Sequence, residues 1–134
     1  MKTYRLPMGW AAAFPEDWTS DYDEESGENR FSSPAGGLTL TLTAFHAEKN
    51  GIPASPDIMR SVFLHRLPAE GEEIPVPPEL KIKGCETALR RIGEREICAG
   101  IFCEGELLLT QITGDDPQTV CEAIAYLTLI RRKK

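Results

Sequence analysis

No two cysteines in this sequence stand at the spacing of a zinc knuckle. Cys85, Cys98, Cys103 and Cys121 are separated by 13, 5 and 18 positions, with no CxxC pair. Structural zinc sites are usually built on such a pair. Histidine is scarce as well. His46 and His65 are the two present. Neither belongs to an HxH, HxxxH or HExxH pattern, the spacings that turn two imidazoles onto one metal. No GxSxG elbow, P-loop or GxGxxG occurs, so neither a strained serine nucleophile nor a glycine cradle for phosphate is expected. Carboxylates are plentiful, but nothing singles out a catalytic pair. The expectation is a non-enzyme with no catalytic, cofactor-binding or metal-ligating residue and no cofactor.

Long apolar runs are also missing. None approaches the ~18 residues of a membrane span. Met1–Trp10 lacks a charged segment followed by an apolar stretch of about 7–15 residues, so no secretory signal is read there. A cytoplasmic location is expected. Basic residues are outnumbered, 15 against 21 acidic, for a formal net charge of −6. A nucleic-acid binder would want the reverse, so no nucleic acid is expected. The basic run Arg131-Arg132-Lys133-Lys134 reads as the end of a helix, where cations complement the helix dipole.

What is present is a chain of 134 residues with 41% hydrophobic content. That suits a single domain over residues 1–134, large enough to bury roughly two-thirds of its unfolded surface. The organising stretch is Arg95–Ile130. Two apolar runs flank Glu104-Gly105, a hairpin turn signal. A two-residue turn pairs Phe102 with Leu107 and Ile101 with Leu108. One face then carries Cys98, Gly100, Phe102, Leu107 and Leu109. The other carries Ile97, Ala99, Ile101, Leu108 and Ile112. Strands apolar on both sides belong in the middle of a sheet covered on both faces. Strand parity sends Cys98 and Cys103 to opposite faces, and the cysteines read as buried free thiols. Beyond Gly114, Asp116 suits an N-cap and Pro117 the first helical position. A helix over Pro117–Ile130 is expected.

Earlier in the chain, Thr3–Leu6 and Gly9–Phe14 read as short strands. Trp10, Phe14 and Trp18 recur every four residues, but Pro15 holds Phe14 extended and breaks any helix. Packing against the sheet is expected for them. Asp17–Glu28 is the most acidic stretch. A calcium loop starting at Asp21 would need Gly at its sixth place and Glu at its twelfth, where Ser26 and Ser32 stand. A solvated loop is expected instead. Glu28–Ser33 and Leu38–Phe45 read as a hairpin about the turn at Pro34–Gly37. Leu38, Leu40, Leu42 and Ala44 take one face, and Thr39, Thr41, Thr43 and Phe45 the other. Ser55 caps a helix at Pro56–Leu67 with Ile58, Met59, Val62, Phe63 and Leu67 on its apolar face. Glu70–Pro78 is proline-rich loop. Glu79–Lys83 has some strand character and Glu86–Ile92 more.

Several of these features together resemble the Mog/PsbP-like domains. They are Gly9-Trp10 in the opening strands, Pro15-x-x-Trp18, Phe31-Ser-Ser-Pro34, and Gly36-Gly37-Leu38 leading into an alternating strand. A long hairpin and a terminal helix then close the chain, as Arg95–Ile130 does. The chain is also similar to a small bacterial family of unknown function with that fold. The resemblance implies an α+β fold, an antiparallel sheet of about six strands flanked by helices on both faces. Members include photosystem accessory subunits, a Ran-binding nuclear-transport factor, lipoproteins and secretion chaperones, and most act by binding a partner. No site residue transfers, because members share no one site.

The function expected is therefore a non-catalytic binding or adaptor module for a protein partner. One alternative is a small-molecule binder or enzyme with a pocket between sheet and helix, near His46 or His65. Another is an effector chaperone or immunity-like protein, gripping an apolar segment on an open sheet face bearing Thr39, Thr41 and Phe45. Any site is expected on that threonine face or in the loops at the sheet ends.

Overall fold

Local chemistry sets most of the elements in the computed structural model, which describes residues 1–133. β1 (Lys2–Arg5) and β2 (Trp10–Phe14) pair across a tight turn at Pro7–Gly9, where Met8 and Gly9 both take positive φ. β3 (Thr19–Asp23), β4 (Glu28–Ser32) and β5 (Leu38–His46) form a meander. The ribbon of β6 (Glu48–Lys49) and β7 (Ile52–Pro53) leads into α1 (Pro56–His65). β8 (Glu72–Ile74), β9 (Glu86–Gly93), β10 (Glu96–Cys103) and β11 (Glu106–Gly114) follow. The chain ends with α2 (Pro117–Glu122), α3 (Ile124–Leu127) and β12 (Arg131–Arg132).

The main sheet has the order β3-β4-β5-β11-β10-β9-β8 and every pairing is antiparallel. The β10–β11 hairpin lies at its middle, in the register the turn dictates, with Phe102 opposite Leu107 and Ile101 opposite Leu108. Both faces are dry. Ile97, Ala99, Ile101, Leu108 and Ile112 pack with Trp10, Phe14, Val120 and Leu127. Cys98, Phe102, Leu107 and Leu109 pack with Met59 and Phe63 of α1. The two cysteines of β10 thus sit in different cores, as parity requires.

α1 starts where Ser55 Oγ accepts from the Ile58 N–H at 3.3 Å, with Pro56 at the first position. Its approach to the sheet depends on Gly100. A Cβ there would lie 2.6 Å from Cδ1 of Phe63. Ile58, expected on the apolar face, is instead 54% exposed, and Met59 and Phe63 are the fully buried anchors. Asp116 caps α2 by accepting from Thr119 N–H at 2.8 Å. Those hydrogen bonds from Thr119 hold its carboxyl below the usual carboxylate range.

The expected pair of helical layers does not form. α1 covers one face only over β10 and β11. The opposite face is covered by a second sheet of order β1-β2-β12, with α2 and α3 beside it. The main sheet has seven strands where about six were expected. Both edge strands are short. Thr19–Asp23, read as part of an acidic loop, is the fully exposed edge strand β3, and its aspartates discourage pairing with another chain. Glu72–Ile74, read as loop, is the opposite edge β8, closed off by Pro75, Pro77 and Pro78. Glu79–Lys83 forms turns rather than a strand.

The helix expected over Pro117–Ile130 also breaks. From Tyr126 onward the backbone bonds run to the third residue back, as in Tyr126 N–H to Ala123 O and Ile130 N–H to Leu127 O. β-branched and aromatic residues at Thr119, Val120, Ile124, Tyr126 and Thr128 weaken the regular helix. Its tightened end releases the chain early enough for Arg131 and Arg132 to pair with Ala11 and Trp10. Arg131 and Arg132 of the basic run therefore form a strand and not a helix end, while Lys134 lies outside the described residues.

Trp10, Phe14 and Trp18 pack with the sheet as expected, and the aromatics also stack on one another. Phe14 stacks on Phe31 at 4.4 Å and on Trp18 at 5.3 Å between centroids. Tyr126 closes the cluster, 5.5 Å from Phe14 and 5.0 Å from Trp18.

Candidate functional site

At the turn of the central hairpin, three sequence-distant pieces enclose a cleft of about 750 Å³. They are the turns at Glu79–Gly84, the hairpin tip at Cys103-Glu104, and the end of the chain at Thr128, Arg131 and Arg132. Leu80, only 4% exposed, pins the first piece to the core. The pin faces inward because Leu80 N–H bonds to Pro77 O and Cys85 N–H to Ile82 O, each at 3.0 Å. Gly84 takes φ +79°, a turn conformation that disfavours side chains. Lys81 and Lys83 are left lining the cleft.

Arg132 is the most constrained residue of the site. Its side chain is 9% exposed and grips Glu106 with two bonds, Nη2 to Oε2 at 3.1 Å and Nε to Oε1 at 3.2 Å. Its guanidinium also lies 5.7 Å from the Trp10 ring centroid. The bond to Glu106 raises the arginine pKa, against the opposing effect of burial. Arg131 folds back to donate from Nη1 to Thr128 O at 2.8 Å and Ile130 O at 2.9 Å, so its charge is held at the wall. Glu79 and Glu104 are the acidic residues of the lining, against Lys81, Lys83, Arg131 and Arg132. Arg132 and Glu106 cancel each other, which leaves Lys81, Lys83 and Arg131 against Glu79 and Glu104, a slight basic excess in a chain whose net charge is −6. Cys103 forms part of the lining. Burial and the neighbouring Cys85 thiol push its pKa up to about 12, so it is a neutral thiol.

Next to the cleft runs a groove of about 460 Å³ that shares Glu79 and Thr128 with it. Pro77, Ile124 and Ala125 give this groove an apolar floor, and Glu79 and Glu122 also line it. Together the two form a strip, basic at one end and apolar at the other.

The other expected places look different. His46 ends β5 and sits 3.4 Å from Glu48 across an exposed pair. His65 points Nδ1 at Ser61 O, 2.8 Å away on its own helix. A depression of about 480 Å³ beside His65 lies on the outer side of α1, lined by Ile58, Ser61 and Val62, and not between helix and sheet. On the threonine face, Phe45 is partly buried under the Arg66 guanidinium, 4.2 Å from its centroid. Thr41 and Thr43 are buried. Their cross-strand neighbours on that face are Arg30 and Gln111 for Thr41, and Glu28 and the buried Leu109 for Thr43. Beyond α1 the face thus mixes Arg30, Glu28 and Gln111 with the apolar Leu109. Among the described residues, no three His, Cys, Asp or Glu side chains converge as a metal site. No helix among them is long and apolar enough to cross a membrane.

Two solved structures superpose on this arrangement. One is the protein cyanobacterial PsbP (CyanoP) from Synechocystis sp. PCC 6803, with TM-score 0.64 and 11% identity over 98% of this chain and 92% of that one. The fold is PsbP-like. The other is a protein of Bacteroides thetaiotaomicron VPI-5482, with TM-score 0.64 and 13% identity over 99% of this chain. The present chain spans 48% of that protein's length. No protein-family profile matches the chain, and no curated protein sequence matches it. At these identities the PsbP-like likeness is one of fold.

The strip was only partly foreseen. Loops at the sheet ends were expected to hold any site, and the cleft lies there. Lys81 and Lys83 were hidden in a stretch read as strand, and Arg131 and Arg132 in a run read as helix end. A signal was available. Leu80 and Ile82 alternate with Lys81 and Lys83, which separates a buried side from a charged one.

Proposed function

We propose that this PsbP-like protein is a non-catalytic binding module that docks an acidic, partly apolar segment of a partner protein in the strip. The observation that carries this reading is the basic cleft continuous with an apolar groove. At the cleft end Lys81, Lys83 and Arg131 favour acidic side chains, and at the groove end Pro77, Ile124 and Ala125 offer apolar side chains a place to be buried. The pairing of Arg132 with Glu106 supports preorganisation, because a cleft wall already held in place loses less entropy on binding. The four free thiols support a reducing, cytoplasmic setting.

The test is fluorescence anisotropy with a labelled peptide of mixed Glu and Leu, beside a Lys and Leu control. Saturable binding of the acidic peptide, weakened by salt, is expected. The double change Lys81→Glu, Lys83→Glu should weaken it about tenfold or more, the scale of ~1.4 kcal/mol. Equal binding of both peptides, or indifference to the double change, would sink the reading.

A further inference from the structure

Cys85 and Cys103 come together at the start of β9 and the end of β10, and nothing in the binding reading uses them. The β9–β10 register runs from Ile101 opposite Thr87 to Phe102 opposite Glu86. The next pair in that register is Cys103 and Cys85. Cys85 packs against the same core that holds Cys103. Arg132 reaches both.

The ladder decides how close they are. Gly114 N–H donates to Arg95 O at 3.3 Å, so Arg95 and Gly114 form a bonded pair of the β10–β11 ladder. Bonded pairs recur at every second residue, which makes Ile97, Ala99, Ile101 and Cys103 bonded toward β11. The other flank agrees, since Ala47 N–H donates to Gly105 O at 2.9 Å. Cys103 therefore spends its backbone groups on Glu106. Toward Cys85 the pair is of the non-hydrogen-bonded kind, whose Cα atoms sit only about 4.5 Å apart with side chains close. A disulfide spans Cα separations of roughly 4.4–6.8 Å.

Exposure completes the case. Cys103 lines the cleft although it is 2% exposed, and Cys85 is half-buried above it. Cys98 is buried in the opposite core. Cys121 is partly buried and accepts from Arg91 Nη2 at 3.1 Å. Neither competes for the pair.

We infer that Cys85 and Cys103 are a redox modification site, closing to an intramolecular disulfide by exchange with a low-molecular-weight disulfide such as oxidised glutathione. The Cys85 thiolate attacks one glutathione sulfur, forming a mixed disulfide and expelling one glutathione thiolate, which takes up a proton. Cys103, a neutral thiol at rest, gives up its proton as it attacks the Cys85 sulfur, and the second glutathione leaves as a thiolate that takes a proton up. Two protein thiols lose two electrons and two protons, and one glutathione disulfide becomes two thiols. The burial of Cys103 makes it the resolving partner and Cys85 the outer, attacking one. The link would tie the Lys81–Gly84 wall of the cleft to the hairpin tip.

The experiment holds the whole protein in graded mixtures of reduced and oxidised glutathione. Samples are acid-quenched, denatured, alkylated and mapped by peptide mass. The expected product is a monomer that has lost two hydrogens, with Cys85 and Cys103 protected and Cys98 and Cys121 alkylated. Reductant should restore all four thiols. Cys103→Ser should stop at a glutathione adduct on Cys85, and Cys85→Ser should form no link. The inference is overturned if both thiols stay alkylatable at every ratio, if another pair or two chains become linked, or if the link forms only in urea.

Discussion

Thr110 lies in the middle of β11 with no exposed surface, and its hydroxyl finds no hydrogen-bond partner. It sits opposite Ala99 and Leu42, on the face that packs against the larger core. A buried hydroxyl without a partner carries its desolvation cost uncompensated. Valine has the same shape without that oxygen. Thr110→Val should therefore raise stability by about 1–2 kcal/mol, read as a higher urea midpoint at unchanged slope. A lower midpoint would mean that the hydroxyl is satisfied. The contrast with Thr41 and Thr43 is instructive. They are 9% and 8% exposed on the opposite face, beside Arg30, Glu28 and Gln111, where a hydroxyl costs less to keep. All are threonines in strands, so residue type alone does not tell which carries the penalty.

At the scale of elements, α1 is held by shape. Met59 and Phe63 are both fully buried, each contributing on the order of 1.5–3 kcal/mol. The ring of Phe63 rests where Gly100 has no side chain. A methyl there would meet Cδ1 at 2.6 Å and Cγ at 2.7 Å, and an enclosed ring has no room to yield. Gly100→Ala should cost about 1–3 kcal/mol, the range for overpacking. The loss should be local. Hydrogen exchange is expected to quicken across Pro56–His65 while the amides of β11 keep their protection, because β10 and β11 hold each other through their own ladder. Uniform loss across the sheet would instead show that α1 and the hairpin fold as one unit. Gly100 was legible as a member of the apolar face, but its reason for being glycine was not. That reason lies on a helix more than thirty residues away.

For the molecule as a whole, Arg132 joins parts that are far apart in sequence. It stands in β12, pairs by register with Trp10, and bonds to Glu106 at the tip of the central hairpin. The small sheet and the main sheet are tied through this side chain as well as through apolar packing. Arg132→Ala should cost about 2–3 kcal/mol, since it strands a partly buried carboxylate. Adding Glu106→Gln to that change should recover part of the loss, because the stranded charge is removed as well. Urea unfolding of the single and double variants measures both. Strict additivity would show that the pair does not act as a pair.

What the sequence determined by itself was local. The turn at Glu104-Gly105, the register of Phe102 with Leu107, the alternation of Leu38–Phe45 and the caps at Ser55 and Asp116 all follow from neighbours within a few residues. Such patterns carry their own physical cause, a period of two, a positive φ or an orphan N–H. Only the tertiary structure decided the rest. β12 is two residues long, too short to show any period, and its partner stands at the other end of the chain. β8 is a strand because β9 offers it an edge. The cleft exists because Lys81, Glu104 and Arg132 are brought together by three different pairings, and the facing of Cys85 with Cys103 by one of them. The pairings of β8 with β9 and of β12 with β2 join stretches of chain that no local pattern links.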